Sequence, residues 1–258
     1  MAAKKVRAAA IQVRPIPKKV KATIFQGVRL AKTAAERGAD IVVLPEHWLP
    51  EEVIPTPMDP IPGLQAVSEE YGIPIVGGAF FEKVNGKLRL SSPVIGTDGE
   101  VLGRQFKVHL FGREKKLAKA GNDYGIFKLG DYKVGVLVCY DIDFPEVSRI
   151  FTLKGADLLL CPSRIISRGI GPWQQYLTVR SLENRIPIVA PNVYAPPWFN
   201  GHSTIISLKQ DPRAKIALPS LVSTSKKGTA IVTDDLDLAL HARLRRARFA
   251  DRRPDTYN

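Results

Sequence analysis

The segment ERGADIVVLPEHW (36–48) returns 117 residues later as LKGADLLLCPSRI (153–165). Each copy carries a helix end, a glycine, an Ala-Asp step, a short all-apolar run and a proline at the run's C-terminal edge. A continuous apolar run of that length reads as a strand buried on both faces. Two such units must cover four sheet faces, and the simplest solution stacks two sheets with helices outside them. The expected fold is an α/β, four-layer α-β-β-α sandwich with an internal pseudo-two-fold repeat. No linker separates the copies, so residues 1–258 read as a single domain.

Strand-like and helical patterns alternate along the rest of the chain. A first strand is expected over 6–12. Val20, Ile24, Val28, Ala31 and Ala35 then recur at helical spacing up to Gly38. A Pro-rich loop (50–62) leads to a helix near 64–70 and a strand over 73–80. Asn85-Gly86 and Asp98-Gly99 mark hairpin turns. Further strands are expected at 134–139, 158–161, 187–192, 203–207 and 229–233. Helices are expected from Pro145, over 173–184 and over 236–246.

Composition narrows the class. With 45% hydrophobic and 24% charged residues the chain has globular proportions. No apolar run approaches the ~20 residues of a membrane span, and the N-terminal apolar stretch is too short for a signal peptide. A cytoplasmic protein with no membrane partner is expected. The net charge of +13 is spread along the chain, with one dense cluster, HARLRRARFADRR (241–253). That cluster lacks zinc-finger spacing or RNA-binding aromatics, so a solvated basic face is expected, with no nucleic-acid partner; a nucleic-acid-binding protein is the remote alternative.

The two cysteines exclude a disulfide framework and a cysteine-built zinc site. Cys161 aligns with Leu44 in the repeat and reads as a core residue. Cys139 ends the strand VGVLVC and precedes the polar turn YDIDFPE, a strand-to-helix junction that exposes a nucleophile. A thiol nucleophile needs a base or a neighbouring cation. Glu46, after a strand end in mostly apolar surroundings, is a candidate base. Lys107, between Phe106 and Val108, is a candidate cation.

The segments LPEHW, FKVHLFGRE and VCYDIDFPE resemble those of the carbon–nitrogen hydrolase (nitrilase-like) superfamily, whose signature is Glu, Lys and Cys in that order. AAAIQ, TDGEVLGR, RSLENRIPIVAPN and GHSTIIS extend the resemblance over nearly the whole chain. It implies Cys139 as nucleophile, Glu46 as general base and Lys107 as oxyanion cation. Glu114 matches a second active-site glutamate, Tyr140 would lend its backbone N–H to the oxyanion, and His109 and Asp143 are candidates to touch substrate. No cofactor and no metal are expected. The implied reaction is hydrolysis of a small primary amide through a thioester, with a nitrilase or N-carbamoyl amino acid hydrolase as the alternative. The implied partner is a small-molecule amide or nitrile, and the implied assembly is a homodimer or larger. Asp143 stands where several dicarboxylate-monoamide hydrolases have Arg, which points to a neutral or cationic acyl group. Gln105-Phe106 and Ser163-Arg164 also depart from the common pattern.

Overall fold

Two sheets lie face to face in the computed structural model, which describes residues 5–49, 59–224 and 226–257. The first half runs β1 (Lys5–Gln12), α1 (Val20–Glu36), β2 (Ile41–Val43), α2 (Ile61–Tyr71), β3 (Ile75–Val76), β4 (Phe80–Val84), β5 (Lys87–Ile95) and β6 (Val101–Phe106). After a short α3 (Glu114–Leu117) come β7 (Ile126–Leu129), β8 (Tyr132–Val136), α4 (Pro145–Leu153), β9 (Leu158–Leu160), α5 (Ile170–Asn184) and β10 (Ile188–Ala190). A small ribbon, β11 (Tyr194–Ala195) and β12 (Phe199–Asn200), precedes β13 (Thr204–Gln210), β14 (Ala217–Ser223), β15 (Ala230–Asp237) and α6 (Leu238–Ala250).

The two halves repeat one topology. β1, β2 and β3 are parallel in the first sheet, as β8, β9 and β10 are in the second. Antiparallel strands flank each trio: β15 and β5 in the first sheet, β7 and β13 in the second. Side chains sort into layers by strand alternation. Ala8, Ala10 and Val43 meet Val134, Leu160 and Val189 between the sheets. Val42 and Leu44 face Ala31, Ala34 and Leu64 of the first helical layer. Leu159, Cys161 and Ile188 face Phe151, Trp173 and Leu177 of the second. The α-β-β-α order follows, and fully burying each large apolar side chain contributes ~1.5–3 kcal/mol.

Several local expectations are corrected. The strand over 73–80 is two pieces, β3 and β4, which pair successive stretches of β5. Gly77 and Gly78 break it, the latter at φ +76°. The strand over 134–139 ends at Val136, and Cys139 opens a 3-10 turn, Cys139–Asp143. The helix expected near 64–70 starts at Ile61, with Pro62 in its first turn and the Asp59 carboxylate accepting the Ile61 N–H at 2.8 Å; most of the expected Pro-rich loop lies outside the described residues. β7 and β14 were not anticipated. Pro219 in β14 is tolerated because that strand forms the sheet edge. Among the described residues no helix is long and apolar enough to cross a membrane.

Candidate active site

The repeat places two proline turns at the C-terminal ends of β2 and β9, where parallel sheets gather their functional groups. Glu46 and Ser163 occupy equivalent positions in them, and the Glu46 N–H donates to the Ser163 carbonyl at 3.3 Å. The Cys139 N–H donates to the Pro162 carbonyl at 2.9 Å. Three strand ends, two of them repeat-related, are thereby tied at one point. Trp48 anchors the first turn: its indole donates to the Gly77 carbonyl at 2.9 Å, and its ring fills the space that a side chain at Gly27 would need.

Glu46, Lys107 and Cys139 come together and line one cavity of about 270 Å³. The Lys107 ammonium sits 2.7 Å from Glu46 Oε1 and 2.9 Å from Glu114 Oε2. Lys107 and Glu46 are 1% and 2% exposed, so this contact is water-poor. Burial alone would pull the Lys107 pKa down; Glu46, the Cys139 sulfur and Glu114 outweigh it and hold the ammonium charged. Burial pushes the Cys139 thiol well up, Glu46 adds to this, and Lys107 and the Arg164 N–H only partly offset it. Burial and Glu46 together weigh toward the thiol form of Cys139. Cys139 adopts φ +49°, the left-handed backbone of a tight strand-to-helix turn.

Glu114 is fixed from three sides: by Lys107, by His47 Nε2 at 3.0 Å and by the Phe111 N–H at 2.8 Å. Burial opposes its ionisation, but His47, Lys107 and the Phe111 N–H lower its pKa to about 2. Glu46, His47 and Glu114 offer atoms within 4.8 Å of one another, the spacing of a cation site. A divalent ion there would meet the fixed Lys107 ammonium, so the group does not fit a metal.

Tyr140 and Asp143 line an adjoining apolar cavity with Trp173 and Tyr176, which meets the first at Cys139, Phe111, Arg164 and Ile166. His109 lies outside the walls of both cavities among the described residues. Its N–H and Nδ1 both contact Asp141 Oδ1 at 2.8 Å, and its ring stacks on Phe144. The other Asp141 oxygen accepts the Val138 N–H at 2.9 Å. Asp141 thus staples the Cys139 turn to the Lys107 loop, and His109 belongs to that brace and lines neither cavity. Sequence reasoning missed His47, Arg113 and the aromatic walls Phe81, Phe111 and Phe199. His47 alone carried a signal, its position beside Glu46. Arg164 registered only as a departure from pattern; its guanidinium lies 4.3 Å over the Phe199 ring.

A buried Glu-Lys-Cys constellation on an α-β-β-α sandwich points to a hydrolase of C–N bonds. Residues 7–246 match the carbon-nitrogen hydrolase family, and the chain belongs to it. It is similar to an omega-amidase (NIT2) of Xenopus tropicalis, 30% identical over 84% of this chain and 83% of that one. It is also similar to a nitrilase of Pyrococcus abyssi, 31% identical over 98% and 99%. Among solved structures, a carbon-nitrogen hydrolase from Helicobacter pylori shares the fold, with a TM-score of 0.83 at 22% identity over 98% and 97%.

Proposed function

We propose that this carbon–nitrogen hydrolase cleaves a small primary amide to the carboxylic acid and ammonia through a thioester on Cys139. The observation that carries the reading is the buried 2.7 Å contact of Lys107 with Glu46 in the cavity that Cys139 lines. Glu46 takes the thiol proton as Sγ bonds to the carbonyl carbon and the π electrons move to oxygen. The Lys107 ammonium and the Tyr140 N–H stabilise that oxyanion; Tyr140 sits in the first turn after Cys139, where an N–H has no intrahelical acceptor. The oxyanion collapses, the C–N bond breaks, and Glu46 returns its proton to nitrogen, releasing ammonia. Glu46 next takes a proton from water, whose oxygen attacks the thioester; the C–S bond breaks and the sulfur regains its proton. Glu114 positions the ammonium. These steps call on no cofactor.

Asp143 does not line the catalytic cavity, so the charge argument built on it loses its ground. Arg113 and Arg164 do line it. Two guanidiniums beside a site whose two carboxylates both contact Lys107 favour an acyl chain ending in a carboxylate. The omega-amidase name of one relative is in keeping with this.

A second reading, nitrile or N-carbamoyl hydrolysis by the same three residues, is favoured by the nitrilase of Pyrococcus abyssi. We take residues 1–258 as one cytoplasmic catalytic unit that assembles as a homodimer or larger, which light scattering tests. The deciding experiment is ammonia release from propionamide, succinamate-like, carbamoyl amino acid and nitrile substrates at equal concentration. The succinamate-like compound should show the highest kcat/KM; activity confined to nitriles would overturn the amidase reading.

A further inference from the structure

The basic run near the C-terminus takes no part in the chemistry above, yet it borders a cavity of about 470 Å³ that among the described residues shares no wall with the catalytic one. Arg248 and Phe249 of α6 and Arg252 beyond it form one side, and Arg149 of α4 forms another. Among the described residues none of the three arginines makes an ion pair. Arg149 gives its Nη2 to the Glu183 carbonyl at 3.3 Å and lies 5.0 Å from the Phe249 ring centroid. Arg252 rests between the rings of Phe249 and Tyr257, at 5.5 and 5.7 Å. Glu183 and Asp251 supply the negative charge of the lining. The Glu183 carboxylate is shared with Arg180 at 3.5 Å, so three guanidiniums face two carboxylates, one of them already engaged from outside the cavity. Elsewhere in the fold comparable arginines are matched: Arg7 to Asp235, Arg104 to Glu82 and Arg245 to Asp157. Burial lowers the Arg149 pKa; the Glu183 carboxylate opposes this, and Arg252 and Arg248 add to the lowering, so the neighbouring guanidiniums are close enough to repel.

We propose that this cavity is a binding site for a small phosphate-bearing anion. Three planar guanidiniums around a concavity match the several oxygens of a phosphate or pyrophosphate group. The volume falls within the range of small-ligand sites. Concave placement favours a compact anion over a nucleic-acid duplex, which needs a ridge of cations to follow its backbone. The site is independent of the hydrolase reaction.

The test is isothermal titration of the full chain with inorganic phosphate, pyrophosphate, AMP, ATP and a duplex oligonucleotide, at low and high salt. Pyrophosphate or a nucleotide should bind with saturation, and more weakly as salt rises. Arg149→Gln and Arg252→Gln should each weaken binding about tenfold or more, the value of one lost charge-assisted hydrogen bond. The exposed control Lys21→Gln should leave binding unchanged, and all variants should keep their amide-hydrolysing rate. Unaltered melting temperatures show that the substitutions did not unfold the helices; should either variant melt early, the same titration with Arg248→Gln, whose side chain is exposed, replaces it. Absence of binding by every small phosphate, or binding indifferent to the arginine substitutions, would overturn the proposal. So would tighter binding of the oligonucleotide than of the mononucleotides.

Discussion

Lys107 is held in place by two carboxylates before any substrate arrives, so its ammonium needs little reorganisation when an oxyanion develops beside it. Lys107→Met should therefore lower kcat by ~100- to 1000-fold while changing KM only slightly; steady-state kinetics with saturating amide check this. Arg164→Gln should behave in the opposite way. It should raise KM for a succinamate-like substrate and spare propionamide, because the guanidinium would meet the acyl end and not the reacting carbonyl. Cys161, fully buried against Leu159 and Ile188 with its thiol pushed up to about 12, is inert by comparison. Cys161→Ala should keep most activity. Glu114 brings an acid sensitivity. Its pKa is depressed in the fold, so its stabilising contribution is complete above the ordinary value of 4.5 and is lost as pH falls toward about 2. Thermal melts of Glu114→Gln across that window should show a flatter acid limb than those of the parent.

At the scale of elements, the turn that delivers Glu46 depends on the broken strand beside it. His47 N–H donates to the Ala79 carbonyl at 2.7 Å, and Ala79 N–H donates to the Pro45 carbonyl at 3.1 Å. A Cβ at Gly78 would collide with the Pro45 carbonyl and press on the Trp48 indole, and φ is +76° there. Gly78→Ala should cost at least about 2 kcal/mol in unfolding free energy and reduce kcat as Glu46 shifts. Denaturant unfolding and kinetics on the same sample separate the two effects. This break was not legible in the sequence: IPIVGGAF has a strand's apolar content, and only the packing of Trp48 explains its glycines. The repeat-related strands were legible because each is a run of apolar residues stopped by proline. Helix α6 starts two residues later than expected, because β15 runs to Asp237, and ends four residues later, because its polar, Arg-rich surface hides the buried face at Leu238, His241 and Leu244.

Across the whole molecule, the two-sheet stack and the Glu46–Lys107–Cys139 grouping were readable from the repeat and the three local segments. The surroundings were not, since Phe81, Arg113, Arg164 and Phe199 come from separate elements with no shared spacing. Asp143 illustrates the limit. Four residues from Cys139 in sequence, it lines the neighbouring cavity, its carboxyl pushed up by burial, while its carbonyl accepts from Arg180 at 2.8 Å. The net charge of +13 likewise named no partner until the fold gathered three of its arginines around one cavity. The central claim is that the acyl group passes through the Cys139 sulfur, and intact-mass spectrometry of enzyme quenched during turnover tests it most directly. The account predicts a mass increase equal to the acyl group, mapped to the Cys139 peptide and lost together with activity in Cys139→Ala. Turnover retained by a folded Cys139→Ala variant, or an adduct on Cys161 instead, would contradict it.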